Sequence, residues 1–265
     1  MIEPFHEDDS IRLYCGDACN MAALSRASVQ LIVTSPPYWD IKNYRNSGQI
    51  GLGQSYEDYL GQLHLVAAEC KRVLAPGRFL CWVIGTRVSH GELKHIPADS
   101  IEVFGAHGYT LRKEFIWVKP KGTQGLWQRG TTQFLKDNPY PCYAAINIQH
   151  EFILVFQREG QFDPPRDCQL SEEFIKTVSW SVWELAVSQT KRHPAPFPIE
   201  LPERLIHLFS YPGETVLDPF AGTGSTLIAA RNAGRFGIGY EISEQYCALA
   251  VAEMGNAPTR LLSGA

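Results

Sequence analysis

An apolar run that stops at two consecutive prolines constrains this chain more than any other feature. Val29-Gln30-Leu31-Ile32-Val33 reads as a buried strand, and Thr34-Ser35-Pro36-Pro37-Tyr38-Trp39 follows it directly. Neither proline has a backbone N–H to give to a ladder, so the strand must end there. The product is a stiff turn with a hydroxyl on one side and an aromatic ring on the other. In an open α/β sheet the carboxyl ends of strands are where ligands bind. Exposed carbonyls, one small polar side chain and a stacking face suit the grip of a planar amine such as a nucleobase. The plainer alternative is a proline-terminated surface turn.

Other strand-like runs are Ile11–Cys15, Arg78–Gly85, Phe115–Val118, Phe152–Phe156, Thr215–Leu217 and Phe236–Gly239. Helical patterns lie between several of them. Ser55 is a good N-cap with Asp58 three residues on. Leu60, Leu63, Ala67, Cys70, Val73 and Leu74 then recur at helical spacing up to Ala75-Pro76-Gly77, which ends the helix. Residues 200–210 and 243–253 also read as helices. This alternation predicts an α/β fold: a largely parallel seven-stranded sheet with helices on both faces. The runs near 115 and 154, with no clear helix between them, predict an antiparallel hairpin at one edge.

Two stretches break the pattern, 120–149 and 158–192, and loops this long in a compact domain are usually functional. The expected division is a catalytic domain of residues 1–157 and 191–265, with 158–190 an inserted recognition region. Six Lys or Arg and one acid, Glu114, fall between Arg112 and Lys136, interleaved with Trp117, Trp127 and Phe134. Basic and aromatic residues mixed in this way suit nucleic acid, though a solvated loop with incidental charge reads the same. Formal net charge is −4, which argues against a general polyanion binder. No apolar run is long enough to span a bilayer, and the acidic amino terminus lacks a signal-peptide pattern. A cytoplasmic location is expected. Seven scattered cysteines suggest neither a metal site nor a disulfide framework; Cys70 and Cys81 fit as small core residues.

A second motif is Leu217-Asp218-Pro219-Phe220-Ala221-Gly222-Thr223-Gly224-Ser225-Thr226, a strand end, a glycine turn and a helix start. Glu241 stands seventeen residues beyond Gly224, at the end of the next strand, where an acid suits ribose hydroxyls. A phosphate-binding loop would need a Gly-Lys-Ser/Thr ending, which is missing. A nicotinamide site would prefer glycine at Leu227, and Asp218 would repel a pyrophosphate. S-adenosyl-L-methionine fits, with its ribose, adenine, ammonium and sulfonium. Asp17, after the first strand, can face the adenine amino group or cap a following helix.

Together these residues resemble the DNA amino-methyltransferases, over nearly the whole chain. Ser35, Pro36, Pro37 and Tyr38 look like that family's catalytic tetrad. The resemblance implies cofactor contacts at Asp17, Asp218, Pro219, Phe220, Gly222, Gly224, Ser225, Thr226 and Glu241. It implies further contacts at His193, Pro194 and Phe197, in a segment similar to one that packs on the methionine part of the cofactor. The catalytic motif precedes the cofactor motif, as in the beta group. Enzymes that methylate protein glutamine or RNA through an Asn-Pro-Pro-Tyr motif generally run the other way. Relatives with Ser-Pro-Pro-Tyr often methylate N4 of cytosine and those with Asp-Pro-Pro-Tyr usually N6 of adenine, so Ser35 favours cytosine and leaves adenine as the alternative.

The resemblance implies a mechanism of positioning. The amine lone pair is delocalised into the ring. The Ser35 hydroxyl and the Pro36 carbonyl are placed to accept its hydrogens, Pro37 stiffens the turn and Tyr38 stacks on the base. A base inside a duplex must be flipped out to reach this turn. Trp39 and the loop from Asp40 to Gly53 are candidates to close over it, and Lys119, Lys121 and Arg129 to contact phosphate or guanine. Trp180 and Trp183, three apart on an expected helix, read as core. Double-stranded DNA is the expected partner; a homodimer and a cognate restriction endonuclease are open. The rivals are an oxidoreductase, which leaves the Ser-Pro-Pro-Tyr turn unexplained, and a non-catalytic DNA-binding regulator that keeps the fold.

Overall fold

The computed structural model of the chain describes residues 3–41, 43, 46, 48–89, 92–120, 148–165, 170–186 and 198–257. Eleven strands and six helices follow in chain order among them. The strands are β1 (His6–Glu7), β2 (Ile11–Cys15), β3 (Val29–Thr34), β4 (Leu74–Ile84), β5 (Arg87–Ser89), β6 (Glu92–Lys94), β7 (Tyr109–Val118), β8 (His150–Arg158), β9 (Val182–Glu184), β10 (Thr215–Asp218) and β11 (Phe236–Glu241). The helices are α1 (Tyr56–Val73), α2 (Ile96–Ala106), α3 (Glu172–Val178), α4 (Glu200–Phe209), α5 (Ser225–Asn232) and α6 (Glu244–Asn256).

Nine strands form one sheet in the order β1-β2-β11-β10-β3-β4-β8-β7-β9. The five from β2 to β4 run parallel. The seven anticipated strands are all present; β1 and β9, of two and three residues, are the two additions. Both are too short to carry a readable alternation. The hairpin of β7 and β8 is antiparallel as expected but does not form the edge. β8 pairs with β4 on its other side, and β9 runs parallel along β7.

Both faces of the sheet are covered, as a parallel sheet requires. Leu80, Trp82 and Ile84 of β4 face α1 and α2, while Cys81 and Val83 face the opposite layer, where α4 and α5 pack. Ser55 caps α1, its Oγ accepting from the Asp58 amide, as the sequence indicates. Ala75-Pro76-Gly77 does not simply stop the chain there; it opens β4, with Leu74 already paired to Val29. Trp183 lies on β9 rather than on a helix. It is buried and stacked on Phe115 at 4.6 Å, whereas Trp180 is 74% exposed. Cys70 and Cys81 are fully buried, as anticipated. Among the described residues, no helix is long and apolar enough to cross a membrane.

Candidate functional site

The site arises where the crossovers diverge. From β3 the chain passes through α1 to β4 on one side; from β10 it passes through α5 to β11 on the other. β3 and β10 are neighbours, with Val216 opposite Leu31 and Leu217 opposite Ile32. Their carboxyl ends therefore emerge side by side, at the switch point of a doubly wound sheet. The proline turn leaves one end and the glycine turn leaves the other. The two motifs, some 180 positions apart in sequence, meet here.

One buried carboxylate ties them. Asp218, 1% exposed, accepts from Thr34 Oγ1 at 2.6 Å and from the Phe220 amide at 3.0 Å through Oδ1. Its Oδ2 accepts from Thr226 Oγ1 at 2.6 Å. Burial pushes its carboxyl up to about 6, against the opposing pull of those three donors. Glu241 secures the far side of the glycine turn. Its Oε2 accepts from the Gly222 amide at 3.0 Å and its Oε1 from the Ser243 amide at 2.8 Å. Burial raises the Glu241 carboxyl as well. The Ala221 amide bonds the Tyr240 carbonyl, and Gly222 and Gly224 take φ of 54° and 84°. Gly224 leads straight into α5, whose first turn holds Ser225 and Thr226. Pro219 is buried and Phe220 half-buried, its ring edge-on to Trp82. Asp17 is exposed just past β2, with Oδ1 on the Cys19 amide; the Gly16 amide bonds the Glu241 carbonyl. Asp17, Asp218 and Glu241 thus all stand at carboxyl ends of adjacent strands.

On the other side, Pro36 is buried and Ser35, Pro37 and Tyr38 are half-buried. The Pro37 carbonyl accepts from the Tyr59 hydroxyl at 2.9 Å, which pins the turn to α1. The Tyr38 ring lies over Gly85, at the end of β4, where a Cβ would fall 3.0 Å from it. The Tyr38 hydroxyl is 3.2 Å from Ser35 Oγ and donates to Glu151 Oε2 at 2.8 Å. Trp39 has a positive φ of 54°. Its ring packs edge-on against Tyr56, and Nε1 donates to the Gln54 carbonyl at 3.0 Å. Asp40 pairs with Arg87 of β5 at 2.8 Å. Lys119 follows β7 and forms an ion pair with Glu151. Lys121, Arg129, His193, Pro194 and Phe197 lie outside the described residues.

Two participants escaped the sequence. Thr34 closes the strand that precedes the proline turn, and nothing in its type distinguishes it from any strand threonine. Glu151 reaches the site because β8 runs antiparallel to β4, with Phe152 opposite Ile84. That register sets the amino end of β8 beside the carboxyl end of β4, and a lone acid at a strand start does not announce it.

Comparison with known proteins agrees with this arrangement. Residues 29–252 match the family described as DNA methylase. The chain is 33% identical to the type II methyltransferase M.MthZI of Methanothermobacter thermautotrophicus, over 89% of this chain and 74% of that one. It is 32% identical to M.MjaI of Methanocaldococcus jannaschii, over 88% and 87%. Among solved structures, TTHA0409 of Thermus thermophilus, designated a DNA modification methylase by inference and crystallised with S-adenosyl-L-methionine, superposes with a TM-score of 0.72 at 32% identity, covering 92% of this chain and 93% of that one. The cytosine-N4-specific PvuII DNA methyltransferase shares the fold, with a TM-score of 0.71 at 18% identity over 94% and 87%. By its sequence match and by the order of its two motifs, this chain belongs to the DNA methylase family, within the beta group of DNA amino-methyltransferases.

Proposed function

We propose that the chain transfers a methyl group from S-adenosyl-L-methionine to the exocyclic N4 amine of cytosine in DNA, with the target base flipped out of the duplex. The observation that supports this is the Thr34–Asp218 bond, which joins the strand ends from which the proline turn and the glycine turn leave the sheet. The donor set suits the cofactor. Acidic side chains line the strand ends, and acceptors of this kind match hydroxyl, amine and ammonium groups better than phosphates. Glu241 is the group to hold the ribose, Asp17 the adenine amine, and the turn from Pro219 to Thr226 the remainder; His193, Pro194 and Phe197 complete the set. Bound there, S-adenosyl-L-methionine supplies an electrophilic methyl.

The chain's own residues prepare the amine. Ser35 Oγ and the Pro36 carbonyl accept hydrogen bonds from its two N–H groups, so that the nitrogen becomes tetrahedral with its lone pair free. Both are weak bases, so the surplus proton of the methylated amine is lost late, to solvent. The two prolines and the Tyr59 bond keep these acceptors fixed, so little reorganisation is needed during reaction. Ser35 supports cytosine over adenine, because the tetrad begins with a hydroxyl rather than a carboxylate. Trp39, Lys119, Lys121 and Arg129 are the proposed DNA contacts, and residues 158–190 with loop 120–149 the proposed reader of sequence. Digestion of methylated DNA to nucleosides tests the reading: N4-methyl-2′-deoxycytidine upholds it, and N6-methyl-2′-deoxyadenosine transfers the same site to adenine.

A further inference from the structure

We propose that Glu151 fixes the direction of the hydrogen bond at Ser35 and so makes the Ser35 hydroxyl an acceptor towards the target amine. This rests on the methyltransferase reading above. A serine hydroxyl can donate or accept, and only the accepting state serves an amine whose hydrogens point at it. Something must choose between them.

The choice is written in a chain of three groups. Ser35 Oγ lies 3.2 Å from the Tyr38 hydroxyl, which lies 2.8 Å from Glu151 Oε2. A tyrosine hydroxyl has one hydrogen, and an ionised carboxylate has none. The Val83 carbonyl, 3.4 Å from the same hydroxyl, has none either. Glu151 is held from the far side by Lys119 Nζ on its other oxygen, and its side chain is 14% exposed. The bond to a carboxylate is the stronger, charge-assisted one. Tyr38 therefore gives its hydrogen to Glu151. Its oxygen then offers Ser35 only lone pairs, so the Ser35 hydrogen turns towards Tyr38. The lone pairs of Ser35 Oγ are left for the substrate. Glu151 touches no reacting atom; it is a positioning residue acting through Tyr38.

Glu151→Gln inverts this logic. The amide oxygen turns to Lys119, a pure donor, and the amide N–H faces Tyr38, which no longer surrenders its hydrogen on that side. In the full-length protein, Glu151→Gln is expected to lower kcat about tenfold or more, with KM for DNA and the calorimetric Kd for S-adenosyl-L-methionine within about twofold. Tyr38→Phe deletes the same link without disturbing the ion pair and is expected to fall by a like factor. The double variant should be no slower than the worse single one.

A second readout needs no turnover. In protein carrying ¹³C at tyrosine Cζ, the Tyr38 resonance, identified by its loss in Tyr38→Phe, should move in Glu151→Gln. An unmoved resonance, a kcat within about twofold of wild type, or single effects that multiply would each overturn the proposal. Wild-type protein inert on every DNA, with the resonance still moving, overturns the enzymatic reading and upholds the coupling of Glu151 to Tyr38.

Discussion

The Thr34 hydroxyl donates to Asp218 Oδ1 across 2.6 Å, and both residues are buried. Thr34 is the last residue of the strand before the proline turn; Asp218 is the last of the strand before the glycine turn. Backbone pairing of β3 with β10 fixes the two strands in register. The Thr34 bond extends that registration one step beyond the ladder, to the point where both chains leave the sheet. Asp218 at the same time holds Thr226 in the first turn of α5. One carboxylate thus relates the proline turn, the glycine turn and a helix start.

Thr34→Val keeps the shape of the side chain and removes the donor. Asp218 Oδ1 is then left with the Phe220 amide alone, in a site without water access. The expected loss is about 1–3 kcal/mol of unfolding free energy, the usual cost of depriving a buried charged group of a partner. Urea denaturation measures it. A change below about 0.5 kcal/mol, the scale of a neutral surface substitution, would mean that the bond is incidental to the joint.

Asp218 also gives stability a particular dependence on pH. Burial lifts its carboxyl from the ordinary 3.8 to about 6 in the folded protein. Between those values the native state holds a proton that the unfolded chain has released. This contribution is complete below about 4, declines as pH rises and is gone above about 6. Asp218→Asn lacks it, while Glu241 titrates in both proteins. The stability of wild type relative to Asp218→Asn should therefore fall from pH 4 to 6 and run level beyond, in denaturant titrations at each pH. A relative stability that climbs through this window would contradict the assignment.

Ser35→Ala removes one of the two acceptors proposed for the amine and leaves the Pro36 carbonyl. Loss of one preorganised group at a reacting centre typically costs about 10²–10³-fold in kcat. The glycine turn, where the cofactor is proposed to bind, is untouched, so the Kd for S-adenosyl-L-methionine should hold. Single-turnover transfer of labelled methyl, set beside calorimetry, separates the two. Equal weakening of both would point to a structural part for Ser35 in the turn.

How much of this the sequence discloses depends on the range of each interaction. The seven longer strands and three of the helices follow from periodicity and from local punctuation such as Ser55, because those signals sit within the element itself. β9 does not, because Trp183 is placed by stacking on Phe115, more than sixty positions away, and three residues show no period. The same division holds in the site. Ser35, Asp218 and Glu241 carry local motifs, and their placement on adjacent strand ends could be argued from topology. Thr34 and Glu151 act through bonds to Asp218 and Tyr38 that span 184 and 113 positions, and only the folded register brings those pairs together. Trp39 was legible as an aromatic beside the tetrad but not as a residue with positive φ, since that conformation is imposed by its neighbours.

Those neighbours supply the last prediction. Gly51 has φ of +95°, and a Cβ there would lie 2.4 Å from the Trp39 carbonyl oxygen and 2.8 Å from its Cα. These are backbone atoms, so no rotamer change relieves the clash. Trp39 is itself held by Gln54 and Tyr56, and its backbone continues directly into Tyr38. Gly51→Ala must therefore push the proline turn. Gly53 also has a positive φ, +73°, but a Cβ there meets nothing within 4 Å. Gly53→Ala is expected to cost only the left-handed backbone penalty, about 1–2 kcal/mol, with the methyl-transfer rate retained. Gly51→Ala should cost more in unfolding and lower the single-turnover rate about tenfold or more, the scale on which small displacements at a reacting centre act. If the two variants behaved alike in rate, the contact between Gly51 and Trp39 would have no bearing on the geometry of the tetrad.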